Sequence, residues 1–220
     1  MDTLEFEPSK LGIRAHWDHV YEREVANFEA TGDEGEIWFG EGTVEKMVDW
    51  ALENVPAATG PRILEIGSGN GVLLFALREA GYTATGLSGL DYSPDAVKLA
   101  RMIAQERNSE EVTFHVCDFL KELPPSPGTY DAIALGEKDD FGISPVAAYP
   151  VRASRLLRES GYFLITSCNF TEEELRANFI NQETNFQFQS LQLACQAPIH
   201  LLWGKTGSVY TTVAFKKGLS

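Results

Sequence analysis

From residue 43 onward the apolar positions switch repeatedly between two periods. Val44, Met47, Val48, Ala51, Leu52 and Val55 recur at helical spacing, with Thr43 as the expected cap and residues 56–61 as the stop. Ile63 to Ile66 is a short apolar run, read as a buried strand, and a glycine cluster follows it. Val72, Phe75 and Ala76 then mark one face of a second helix, which Gly81 ends. Residues 85–90 predict a second strand, and Ser93-Pro94-Asp95 supplies a helix start: cap, proline in the first turn, acid beside it. Val97, Ala100, Ile103 and Ala104 form the inner face of that helix.

The same alternation continues. Residues 112–117 and 130–135 read as strands three and four, Pro150 opens a helix that Gly161 stops, and residues 162–166 read as strand five. Thr171 with Glu174 has the spacing of a capping box. Residues 186–193 and 209–215 then predict two strands without a helix between them. Strands alternating with helices imply an α/β fold, a mostly parallel sheet with helices on both faces. A closing pair without a crossover implies an antiparallel C-terminal edge. A chain of 220 residues fits one domain: a core over residues 43–220 and a segment, residues 1–42, that precedes it.

Composition narrows the function classes. Hydrophobic residues make up 44% of the chain, and no apolar run approaches the ~20 residues of a membrane helix. The first ten residues, MDTLEFEPSK, are too polar for a secretory signal. Three cysteines, Cys117, Cys168 and Cys195, are widely spaced, without metal-ligand spacing. They read as reduced thiols of a cytoplasmic protein, with the nucleus also open. A formal net charge of -14 disfavours nucleic acid and favours a basic partner.

The candidate chemistry starts at LEIGSGNG, Leu64 to Gly71, at the carboxyl end of strand one, where an open parallel sheet binds its ligand. A phosphate loop needs Lys-Ser or Lys-Thr after its last glycine, and none follows. The dinucleotide fingerprint needs a third glycine or alanine where Val72 stands. The pattern is instead Glu65-x-Gly67-x-Gly69-x-Gly71, with Asn70 inside it.

This spacing resembles the S-adenosylmethionine loop of class I, Rossmann-like methyltransferases. The resemblance implies a cofactor whose amino-acid end and ribose lie on bare backbone, with Glu65 facing the methionine ammonium. Asp91, at the tip of strand two, suits the ribose hydroxyls. Asp118 and the backbone N–H of Phe119, at the tip of strand three, suit adenine, with Tyr92 packing on its face. Each feature also has a plainer reading, as a tight turn, a helix cap or a solvated strand end.

Further stretches carry a closer likeness. SKLGIRAHWDHVYEREVANFEATGDEGEIWFGE, LDYSPDAVKLA, GTYDAIAL and GYFLITSCNFTEEEL together resemble the lysine methyltransferases of elongation factor 1-alpha, in the methyltransferase-like group. That resemblance implies methyl transfer to a protein lysine, with Glu36, Trp38 and Phe39 in an N-terminal segment folded over the cofactor. A hydrophobic plug on the sheet edge is the alternative role for the aromatic pair. Asn169 suits either the substrate or the turn before Thr171. In-line transfer needs a neutral, aligned amine but no dedicated base.

One stretch departs from that family, which carries Asp-Lys before Gly-Thr. Here Ser126-Pro127 precede Gly128-Thr129. Either residues 130–135 take the place of strand four, which puts Gly136, Glu137 and Lys138 at the acceptor site with Glu137 orienting the amine, or part of the wall is missing. A small-molecule methyltransferase and a catalytically impaired binding protein of this fold are the other readings.

Overall fold

The computed structural model describes residues 14–122, 124, 129–137, 148–167, 170–189 and 211–219. The apolar runs become β1 (Ile63–Ile66), β2 (Leu87–Asp91), β3 (Thr113–Val116), β4 (Tyr130–Glu137) and β5 (Leu157–Ser167), followed by β6 (Phe186–Gln189) and β7 (Thr211–Lys217). They form one seven-stranded sheet in the order β3-β2-β1-β4-β5-β7-β6. The first five strands pair in parallel, and β7 lies antiparallel between β5 and β6. The chain runs outward from β1 to β3 and returns at β4. The switch point is therefore the crevice at the carboxyl ends of β1 and β4.

Side chains alternate across the sheet and feed two cores. Ile63, Leu87, Phe114, Ala132 and Leu164 face α1 (Arg14–Thr31), α2 (Glu41–Asn54), α3 (Val72–Glu79) and α4 (Pro94–Glu106). Leu64, Leu90, Ile133, Phe163 and Phe215 face α5 (Ala148–Leu156) and α6 (Glu172–Phe179). On this second face the rings of Phe163 and Phe179 stack at 5.3 Å, and those of Phe179 and Phe215 at 5.3 Å. Phe163 and Phe215 are also cross-strand partners. Full burial of such a ring is worth about 1.5–3 kcal/mol.

Helix ends follow the local chemistry. The Ser93 hydroxyl accepts the Ala96 N–H, with Pro94 beginning α4. Thr171 and Glu174 form the reciprocal capping box of α6, and accepting the Thr171 N–H and hydroxyl holds the exposed Glu174 carboxyl below its ordinary pKa. Lys217 donates to the carbonyls of Ser154 and Leu157 at 2.7 and 2.8 Å, satisfying acceptors at the end of α5.

Three local readings need correction. Gly40, not Thr43, is the N-cap of α2, and Thr43 is buried within the helix. Residues 84–86 form a short 3₁₀ turn, so β2 begins at Leu87. Gly161 does not terminate a helix. α5 ends at Leu156 and β5 begins at once, with a register shift opposite β4 and Ser160 at φ 61. A glycine beside a left-handed residue marks an irregular strand as readily as a helix end. The N-terminal segment, to which the sequence assigned no element, contains α1, whose Trp17, Val20, Tyr21, Glu24 and Val25 form the buried stripe. The spacing i, i+3, i+4, i+8 of its apolar members is the signal that reveals it.

Residues 130–137 occupy the place of strand four, pairing with β1 and β5. Of the two C-terminal strands, residues 190–210 lie outside the described part, and the remainder pairs antiparallel as expected.

Candidate functional site

The glycine loop is built by its own backbone. The N–H groups of Gly67 and Ser68 both donate to the Leu90 carbonyl, at 2.8 and 2.9 Å, tying the loop to the end of β2. Gly71 N–H donates to Ser68 O at 2.8 Å, and Gly71 caps α3 at φ 80. A Cβ at Gly71 would stand 2.7 Å from the Phe114 ring, so backbone conformation and space both demand glycine there. At Gly69 (φ 52) a Cβ would run into the hydroxyl of Tyr21. Two of the bare positions therefore admit protein rings as well as leaving backbone open.

The period-2 alternation of β1 and β2 puts Glu65 and Asp91 on the face shared with α1–α4. Asp91 is 6% exposed. Its Oδ2 accepts the Gly69 N–H at 3.0 Å and its Oδ1 accepts the Ser93 N–H at 2.9 Å. These two bonds fix the orientation of the carboxylate at the strand tip. Tyr21 reaches from α1 into this acidic corner. Burial, then the charges of Asp91, Tyr92, Glu65 and Glu24, push its pKa well above the ordinary tyrosine value. The phenol therefore remains a neutral donor among carboxylates.

The roof comes from the segment between α1 and α2. Ile37, Trp38 and Phe39 line a cleft together with Tyr21, Glu65, Gly67, Gly69 and Asn70. Trp38 meets Trp17 edge-to-face at 4.7 Å, so it both packs on α1 and lines the cleft. The Asn70 amide donates to the carbonyls of Glu34 and Glu36, at 3.0 and 3.4 Å, joining roof to loop. Val44 and Met47 of α2, Ala134 and Leu135 of β4, and Thr166 of β5 complete the apolar side. Thr166 is buried, with its hydroxyl 3.0 Å from that of Thr212.

A second polar patch adjoins the tips of β2 and β3. Arg14 lies over the Tyr92 ring at 5.0 Å and donates to the Tyr92 carbonyl at 3.4 Å. Asp118 pairs with Lys121 at 2.8 Å and with Arg14 at 3.9 Å. Burial pushes the Asp118 carboxyl up, but Lys121, the Leu120 N–H and Arg14 together outweigh it and hold the carboxyl below its ordinary range. The Phe119 side chain is buried in the opposite core, 5.4 Å from Tyr149, which leaves only its backbone on the ligand side.

Trp38, Glu65, Gly67, Gly69 and Asn70 thus share one cleft, and Gly71 and Asp91 shape its loop. Tyr92 and Asp118 form the neighbouring patch with Arg14. Glu137 closes β4 in register with Ser167, while Lys138 and Asn169 lie outside the described residues. Sequence reasoning missed Tyr21, Arg14 and Thr166. The α1 stripe could have found Tyr21; Arg14 and Thr166 carry no local signal. Among the described residues no group of histidine, cysteine and carboxylate side chains is arranged to hold a metal.

These groups fit a ligand with an ammonium, vicinal hydroxyls and a flat heterocycle. A buried carboxylate, Asp91, and a partly buried one, Glu65, stand at two successive strand tips beside a loop with three glycines. Comparison with known proteins agrees. A family profile described as "Methyltransferase domain" matches residues 58–216. The chain is 37% identical to EEF1A lysine methyltransferase 2 of Mus musculus, over 97% of this chain and 86% of that protein. It is 38% identical to protein-lysine N-methyltransferase efm4 of Schizosaccharomyces pombe, over 94% of each. Among solved structures, magnesium protoporphyrin IX methyltransferase from Synechocystis PCC 6803 with bound SAM shares the fold, with TM-score 0.60 at 18% identity, covering 90% of this chain and 97% of that one.

Proposed function

Because the chain belongs to the Rossmann-like, S-adenosylmethionine-dependent protein-lysine methyltransferases, we propose that it methylates a lysine ε-amine of translation elongation factor 1-alpha. The likeness carrying this substrate is nearly full-length similarity to proteins named for that activity. The single structural observation supporting the cofactor half is Asp91, held by Gly69 and Ser93 at the tip of β2.

When bound, S-adenosylmethionine supplies an electrophilic sulfonium methyl. Glu65 would receive its ammonium, Asp91 its ribose hydroxyls, and Asp118 with the Phe119 backbone its adenine. Gly67, Gly69 and Gly71 would keep the loop surface bare, with Asn70 holding the roof. Tyr21, Trp38 and Phe39 exclude water from the cleft. Exclusion matters because the acceptor amine must be neutral and desolvated to attack in line. Glu137, at the carboxyl end of β4, would orient that amine, and Asn169 would hold the substrate backbone. The net charge of -14 supports attraction of a basic protein.

The test is incubation with labelled S-adenosylmethionine and purified elongation factor 1-alpha. Incorporation at a lysine, reduced in Glu137→Gln through kcat with little change in cofactor affinity, is the expected result. Absence of incorporation by a chain that binds the cofactor would overturn the proposal.

A further inference from the structure

The roof segment, residues 32–40, is held at its flank by a group that never touches the cleft. Arg107, the residue that caps the C-terminus of α4, donates through Nε to Glu34 Oε1 at 2.8 Å and through a terminal nitrogen to Glu34 Oε2 at 2.5 Å. Its other terminal nitrogen donates to Glu79 at 3.0 Å, and the guanidinium lies 5.3 Å from the Phe75 ring centre. A cation at a helix C-terminus needs no partner beyond the helix carbonyls to be useful. A fork-to-fork pair with a residue 73 positions away does more: it fixes the roof to the body of the fold.

The segment is made to turn at both ends. Gly32 and Gly40 each have φ 76, and a Cβ at either would meet nothing within 4 Å. Space does not require these glycines; the backbone conformation does. Between them Trp38 and Phe39 cover the cleft, and Asn70 supplies the second attachment, from the glycine loop itself. The roof is therefore a strap between two glycine bends, fastened on its cleft side by Asn70 and on its outer side by Arg107.

We propose that Glu34 and Arg107 form a latch that holds this strap shut and sets the rate at which the cofactor is exchanged for its spent form. They are positioning residues, acting through Trp38 and Phe39. The inference rests on the reading that the cleft holds S-adenosylmethionine. The pair is about a third exposed, 34% at Arg107 and 29% at Glu34, so salt still reaches it, which gives the latch a signature that simple packing lacks.

Release of S-adenosylhomocysteine, measured by stopped-flow displacement with excess S-adenosylmethionine, tests it. The wild type should release slowly and faster with rising salt. Glu34→Gln, which keeps the shape of the side chain, should release about tenfold faster, as expected for losing one charge-assisted contact, and should lose most of its salt dependence. Arg107→Lys, which keeps the charge without the fork, should fall between them, with melting temperatures near the wild type in both. If the wild type binds and Glu34→Gln releases at the wild-type rate, the latch is overturned while the cofactor reading stands. If the wild type binds neither compound, both fall.

Discussion

The two faces of the sheet solve different problems. The face under α5 and α6 is a stack of phenylalanines, Phe163, Phe179, Phe186 and Phe215, all nearly inaccessible and joined across three strands. Its side chains pack mainly on one another, although Leu135 also borders the cleft. The face under α1–α4 buries a similar apolar core, but towards the carboxyl ends of the strands it gives way to Glu65, Asp91 and Tyr21. One strand serves both: in β1, Leu64 and Ile66 point to the stack, and Glu65 between them points to the cleft. The difference teaches that strand alternation, and not position along the chain, decides which side chains near the strand ends meet the cleft and which only pack.

That separation can be broken experimentally. The largest effect is expected on the stacked face. Phe179→Ala should cost about 3–5 kcal/mol of unfolding free energy, read from denaturant curves, with S-adenosylmethionine affinity unchanged under native conditions. Affinity lost without any stability change would refute the separation. Asp91→Asn should do the reverse. It places an amide donor against the Gly69 or Ser93 N–H, and should weaken S-adenosylmethionine binding by about 10- to 100-fold in calorimetry, with a smaller change in stability than Phe179→Ala.

A smaller effect is expected from Thr171→Ala, which removes the α6 capping box at a cost of about 1 kcal/mol. Melting temperature should fall and methyl transfer persist. The finest test is titration. Tyr82, whose hydroxyl donates to Val55 O at 2.9 Å, has its pKa pushed by burial from 10.0 to about 12. Between those values the unfolded chain has released a proton that the folded chain keeps, so stability falls as pH rises from 10 to about 12. Tyr82→Phe should flatten that part of the stability profile, and an unchanged slope would assign the loss to other groups.

The legibility of the sequence follows the same division. β1, the glycine loop and β2 are readable because their chemistry is contiguous: apolar run, alternating glycines, then Asp91 a fixed distance on. The caps at Ser93 and Thr171 are readable because they satisfy donors only three residues away. What could not be read is whatever depends on distant neighbours. Gly69 is bare partly because Tyr21 arrives from another helix, and Gly71 because Phe114 arrives from another strand. Trp38 packs on Trp17 of α1 and lines the cleft, surroundings that no local pattern announces. The loop motif named the ligand class without showing that α1 would complete the site. The acceptor side proposed at the ends of β4 and β5 depends on tertiary placement still more.

The most direct measurement is a calorimetric titration of S-adenosylmethionine into the wild type and into Asp91→Asn. The account predicts one-site binding by the wild type and a 10- to 100-fold loss in the variant, about 1.5–3 kcal/mol, while both chains remain folded by circular dichroism. A wild type that does not bind, or a variant that binds equally well, would contradict it.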